Sequence, residues 1–462
     1  MKKLVYILRY PVGILLFLAA ALCQGAAGGI LSMSLFFLLI LAECSSVYLE
    51  NKNIIDLRLL LSLSWFFGIG LSALKLSHLQ KPWGAMMWIV CGGFFLMFTA
   101  AYDLTGYLYG KYRKEKAVKA SPSGMRREDP LFRKRIFRVI VIITVLALLA
   151  FLAECIAFDF QIPIFAVWKY EQYSVFHLSG IGYFTVLPVL TGPLAVYFLF
   201  LGKSSLPEKF VLLFCFAVAL LIPLLVLSKM QMLFTLIVPV FAFFILQEKI
   251  SKKKLFFGTV IFGILIVVLF VFLMRLKDYP DGYLQGIFSF KKEDTPMMIQ
   301  YPYIYIVNNY ENLNLLVENL QAFSFGKRQL YPFFALSGVK FLPGISDFLA
   351  TEIYRTIEEL TTTSILYDAY GDFGLFGALG FGAVLGALSA WITELAYSKK
   401  SVSGVLFYVQ FAYYMLLSFF TTWFSNPTSW FYFAMTALMA VYIYRPLRTL
   451  RDRKKRKESG VS

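Results

Sequence analysis

Residues 139–157 read VIVIITVLALLAFLAECIA, nineteen positions in which Glu154 is the one charged side chain. At a rise of 1.5 Å per residue such a run is about 28 Å long, close to the roughly 30 Å of a bilayer's hydrocarbon core. No glycine, proline or polar alternation interrupts it, so the stretch predicts a membrane-spanning helix. Its N-terminal flank decides its direction. Segment 111–138 carries eleven Lys or Arg against three acids, and basic flanks stay in the cytoplasm. Glu154 therefore falls near the outer end of the span, with Asp159 just beyond.

The rest of the chain repeats this pattern. Of 462 residues 59% are apolar and 15% charged, against about 25% charged in ordinary soluble chains. Twelve spans are expected, at 5–24, 30–49, 59–76, 85–108, 139–157, 181–201, 209–228, 231–247, 255–274, 373–397, 402–424 and 428–444. The fold class is all-α, a polytopic membrane protein. The net charge of +17 sits in short segments between spans, where it fixes orientation and attracts anionic lipid; it does not indicate nucleic acid. The tail from Arg445 adds eight basic residues against two acids. Both termini are thus expected in the cytoplasm. Cys23, Cys44, Cys91, Cys155 and Cys215 lie in or beside apolar runs, with neither metal spacing nor a disulfide framework.

One connection is long. Residues 275–372 carry twelve acids and eight Lys or Arg, and long loops in compact architectures tend to be functional. Ile306, Tyr310, Leu313, Val317 and Leu320 recur at helical spacing, with Asn308, Glu311, Asn312, Glu318 and Asn319 on the other face. Leu349, Ile353, Ile357 and Leu360 predict a second amphipathic helix. The chain divides into spans one to nine (1–274), a helical extracytoplasmic cap (275–372), spans ten to twelve (373–444) and a basic cytoplasmic tail (445–462). In span ten Gly374, Ala378, Gly382 and Gly386 recur every four residues, a ridge that lets another helix approach closely.

Several of these segments resemble the oligosaccharide repeat-unit polymerases of the Wzy type, which make O-antigen, capsule and enterobacterial common antigen. Asn308-Asn309-Tyr310-Glu311-Asn312-Leu313 is similar to that family's "ENL" segment after span nine. Met274-Arg275-Leu276-Lys277 is similar to its basic exit from that span. Ile162-Pro163-Ile164-Phe165 after span five and Phe341-Leu342-Pro343-Gly344 in the loop are further shared elements. Thr362-Thr363-Ser364 leading to Asp372-Phe373-Gly374 resembles the "DFG"-like start of span ten. The order of spans is alike over nearly the whole chain. One departure is Ser228-Lys229-Met230, where the family often has Ser-Arg; lysine keeps the charge but lacks the planar fork.

The resemblance implies a glycosyltransferase-C-like fold in the bacterial cytoplasmic membrane. It also implies metal-independent, inverting transfer of a glycan from one polyprenyl diphosphate to a second lipid-linked repeat on the outer face. Partners would be the lipid-linked oligosaccharide and membrane lipid, with a chain-length regulator and a flippase of the same pathway. No cofactor is expected, and neither a metal motif nor a nucleotide fingerprint occurs.

Such a transfer needs cations for the departing diphosphate and a base for the acceptor hydroxyl. At the outer border Arg275, Lys277, Arg328, Arg355 and Lys229 are candidates for the first role, with Lys75, Lys81, Lys169, Lys327 and Lys340 at the same depth. Among acids, Glu43, Asp103 and Glu394 fall towards the cytoplasmic side. Glu154, Asp368 and Asp372 remain as candidate bases. His177 and His78 are the outer histidines, each read as incidental. Trp168, Tyr303, Tyr310, Glu311 and Asn312 are candidates for sugar contact, by stacking and by bonding hydroxyls. Two other functions suit a chain of this kind. One is a ligase moving finished polymer to another acceptor. The other is a transporter of lipid-linked repeats, which would show two similar halves; none is evident.

Overall fold

The computed structural model describes residues 2–24, 28–51, 53–116, 130–167, 169, 172, 175–247, 268, 272, 276 and 282–445, with side chains from Leu8 onward except at 111–116 and 399. All regular structure among them is helical, apart from an isolated antiparallel bridge between Ser77 and Phe290. In chain order the helices are α1 (Lys2–Leu22), α2 (Gly29–Asn51), α3 (Leu57–Ala73), α4 (Ala85–Lys116), α5 (Pro130–Ala157), α6 (Ile181–Thr185), α7 (Thr191–Phe200), α8 (Leu206–Leu225) and α9 (Lys229–Leu246). After these come α10 (Tyr283–Phe288), α11 (Met297–Asn319), α12 (Lys327–Leu336), α13 (Ile345–Leu349), α14 (Tyr367–Lys399), α15 (Val402–Leu416) and α16 (Pro427–Tyr444). Among the described residues seven helical segments are long and apolar enough to cross a membrane, so the chain is a multi-pass membrane protein. The expected span 255–274 lies outside the described residues, but for Val268 and Phe272.

Caps in the sequence set several of these boundaries. Ser205 accepts from the Glu208 amide, and Glu208 returns the bond to the Ser205 amide, a capping box that starts α8. Asp56 starts α3, and Asn426 followed by Pro427 starts α16. Two expected spans are shorter or broken. Pro188 interrupts 181–201, which becomes α6, a 3-10 turn at Leu187–Leu190, and α7. The span expected to reach 424 stops at Leu416, and a 3-10 turn follows at Trp423–Ser425.

The pair α4 and α14 packs most closely. A Cβ at Gly382 would stand 2.6 Å from the Phe94 carbonyl oxygen, and one at Gly386 only 2.1 Å from that of Phe98. The small ridge thus brings two backbones together, as its spacing predicts. Gly386→Ala should force the helices apart and cost about 1–3 kcal/mol. Thermal melting in detergent checks this, with Gly380→Ala, whose Cβ meets nothing within 4 Å, expected to melt like the parent. Gly374 plays a different part. It sits at φ 58°, ψ −140° beside Phe373, and α14 kinks there.

The connections sort to two ends. At one end Gln24 pairs with the Trp83 backbone, Lys291 donates to the Leu76 carbonyl, Ser324 bonds Gly371, and Phe333 packs on Trp430 at 4.7 Å. At the other, Arg133 holds Glu208, Tyr197 donates to the Lys400 carbonyl, and Arg135 donates to the carbonyls of Ile443 and Arg445. A buried ion network also lies towards this second end. Arg9 bonds Glu43 at 2.7 Å, and Arg58 bonds Asp103 at 2.6 Å and Asp56 at 3.1 Å. Each charge meets an opposite one, which is the condition for burying it in an apolar bundle.

Residues 282–366 gather at the first end. α11 is the expected helix, and it is buried on more than its apolar stripe. Asn308, Glu311 and Asn312, expected on an exposed face, are inside. The second expected helix, through Leu349, Ile353, Ile357 and Leu360, does not form beyond Leu349. Side chains satisfy that backbone instead. Asn312 accepts from the Thr356 amide and donates to the carbonyls of Leu360 and Thr362, and Tyr367 Oη accepts from the Tyr354 amide.

Candidate functional site

α5 ends in an apolar turn that returns to itself. Asp159 and Phe160 adopt left-handed φ values of 48° and 58°, which reverse the chain, and residues 175–180 come back over Glu154. Its carboxylate is fully buried. Oε1 lies 3.1 Å from His177 Nδ1 and accepts from the Leu178 amide at 3.1 Å, and Oε2 accepts from Thr185 Oγ1 at 2.7 Å. A Cβ at Gly182 would stand 3.2 Å from Oε1, so a larger residue would crowd the carboxylate.

This arrangement assigns the two groups different work. Glu154 has its lone pairs engaged inside the protein, so it is placed to orient. His177, about a third exposed, is placed to react. A proton on Nδ1 given to the carboxylate leaves Nε2 with the basic lone pair, the tautomer a general base needs. His177 lines a cleft of about 650 Å³. Its walls are the 177–186 turn, Gln231 of α9, the end of α12 with residues 337–341, and Thr428 and Phe431 of α16. Lys340 brings a cation to that lining. Tyr183 stacks on Phe431 at 5.3 Å, which gives the cleft an aromatic wall. Gln231 Oε1 has no hydrogen-bond partner among the described residues.

With its geometry in view, the chain was compared with family models, curated proteins and solved structures. It matches none of them.

The other expected site residues lie elsewhere. Arg275, Lys277 and Trp168 are outside the described residues. Asp372 is buried and caps a helix from afar: its carboxylate accepts from Ser324 Oγ at 2.7 Å, the Arg328 amide at 3.1 Å and the Gln329 amide at 2.9 Å, the free donors at the start of α12. Arg328 is buried too. Its Nε donates to Ser324 Oγ, one terminal nitrogen donates to the Glu352 carbonyl, and the other lies 3.8 Å from Asp368. Asp372→Ala should cost about 2–3 kcal/mol by stranding those donors, and Asp372→Asn less. Amide exchange at 328 and 329 reads it; rates unchanged in the alanine variant would refute the cap.

Lys229 is buried, donates to Tyr301 Oη, and lies over the rings of Tyr301 and Tyr305 at 4.6 and 5.0 Å. Arg355 is half-buried, and its Nε has no hydrogen-bond partner among the described residues. The four sugar candidates of α11 are interior. Tyr303 donates to Gln80 at 2.7 Å, Tyr310 donates to the Trp65 carbonyl at 3.1 Å, and Asn312 bonds the backbone as above. Glu311 accepts from Lys75 Nζ at 2.7 Å, Trp83 Nε1 at 3.0 Å and the Lys81 amide at 3.3 Å. Burial pushes the Glu311 carboxyl above its usual range, and Lys75 opposes that. Tyr303, Tyr310 and Glu311 fasten α11 to α3 and to residues 74–83, Asn312 fastens it to residues 356–362, and all four are buried. Among the described residues no group of three His, Cys, Asp or Glu could hold a metal ion.

Sequence reasoning named Glu154 and passed over its partner. A signal was present: an acid near the end of a span needs a partner, and the next connection carries a histidine.

Proposed function

We propose that this protein extends lipid-linked glycans on the outer side of the cytoplasmic membrane, as a twelve-span polymerase with residues 275–372 as an extracytoplasmic cap. The observation that carries the reading is the His177–Glu154 pair facing a roughly 650 Å³ cleft between bundle ends and the 335–341 segment. The described flanks of the basic segment, 111–116 and 130–138, and Arg445 lie at the opposite end from that cleft, which suits cytoplasmic termini.

In this scheme the acceptor hydroxyl gives its proton to His177 Nε2 as its oxygen bonds the donor's anomeric carbon. The bond from that carbon to the diphosphate breaks on the opposite side, so configuration inverts. Electrons of the broken bond leave with the diphosphate, whose charge Lys340 at the cleft is suited to hold. The imidazolium passes its proton to the departed diphosphate or to water. Glu154 stabilises the imidazolium, as a buried carboxylate on Nδ1 does.

The direct test is reconstitution with a defined lipid-linked repeat. A ladder of products that forms in chelator supports the scheme. Absence of any transfer to a second repeat, with one finished polymer moved to a different acceptor, would make the protein a ligase. Passage of the repeat across the bilayer without bond formation would make it a transporter. Lys340→Ala should lower the rate of ladder growth about tenfold or more, with an unchanged rate removing Lys340 from the scheme.

A further inference from the structure

Segments that face water seldom expose several large apolar side chains side by side. The segment around α12 does. Phe325 is 73% exposed, and Phe323, Leu330 and Phe348 are each about half exposed. The side chains form one patch. Phe323 and Phe325 have ring centroids 6.3 Å apart, and Phe325 lies 6.4 Å from Phe373.

Phe373 links this patch to a second surface. Along α14 the exposed residues Phe376, Val384, Leu388 and Trp391 share one helical face, with Gly380 on the same line, and Phe373 stands at the kink just before it. α14 is one of the segments able to cross a membrane, so that stripe meets acyl chains. The patch at 323–348 is continuous with it. Cations edge the apolar surface: Lys327 Nζ stands 4.3 Å over the Phe348 ring, and Lys340 Nζ 4.9 Å over that of Phe341. An apolar face bordered by lysines is how interfacial elements meet a bilayer, with stems in the acyl boundary and ammonium groups at phosphates.

We propose that residues 323–348 are a monotopic membrane element, lying in the leaflet at this end of the bundle. Phe323, Phe325, Leu330 and Phe348 enter its acyl region, and Lys327 sits among lipid phosphates. The proposal holds whichever reaction the cleft performs.

Depth measurement in the full-length chain tests it. Nitroxide side chains at 325, 330 and 348, one per protein, are placed in nanodiscs of anionic phospholipid after the five native cysteines are replaced. Collision with oxygen is compared with collision with a water-soluble nickel chelate. Val384 is the lipid reference and Asp294, exposed beside Lys292, the water reference. The expected oxygen-to-nickel ratio at all three positions is within about threefold of Val384. A ratio like that of Asp294 at any of the three overturns the proposal. Low collision with both reagents, the mark of a second protein copy over the patch, overturns it too. Should the references fail to separate, a genetically encoded nitroxide amino acid in the chain with native cysteines gives the same readings.

Discussion

Replacing His177 by alanine should lower the initial rate of glycan extension by about 10²–10⁴-fold, the range general-base catalysis contributes. The lesion is confined to proton transfer. The ring is about a third exposed and its one polar contact among the described residues is with Glu154, so the variant should keep its melting temperature and still bind lipid-linked repeat. Glu154→Gln separates positioning from catalysis. Its amide oxygen can still accept from the Leu178 amide, with its NH2 group turned to the Thr185 hydroxyl oxygen, but it offers His177 no negative charge, so the rate should fall less than in His177→Ala. Single-turnover extension of a labelled repeat across pH reads all three proteins. A His177→Ala rate within about twofold of the parent would remove the base and leave the cleft without one.

Glu311→Ala should be the most destabilising single change named here, at about 3–5 kcal/mol. It strands a buried ammonium at Lys75, the indole donor of Trp83 and the Lys81 amide together. Removing both charges is milder: Lys75→Met with Glu311→Leu keeps volume and leaves no unpaired charge, so most of the stability should return. Thermal melts of the parent, single variants and double variant form the cycle. Equal melting of the Glu311→Ala variant and the double variant would show that the pair contributes nothing of its own.

Much of the bundle could be read directly from the amino-acid order. Apolar length places the helices, proline and capping residues set several ends, and a four-residue glycine period marks the α4–α14 contact. What could not be read has a common cause. Periodicity reports which face of a helix is apolar, yet α11 buries its polar face as well, because Lys75, Thr356 and the Leu360 carbonyl arrive from distant segments to satisfy it. The same effect misplaced the second loop helix, whose backbone finds partners on Asn312 and Tyr367. For the site, sequence could name Glu154 as an acid that requires a reason. It could not show that three donors would surround that acid and leave the neighbouring imidazole facing the cleft.

The remote cap on α12 has a consequence for biogenesis. A helix whose first amide groups are satisfied by Asp372, more than forty residues further along the chain, has no such acceptor when it leaves the ribosome. It acquires one only when α14 is made and inserted. Between those moments the 320–349 stretch is held by nothing that starts it as a helix, and its resistance to protease arrives late, together with the final spans. In a chain truncated just short of residue 372 this stretch should therefore be cut by added protease faster than in the full-length protein.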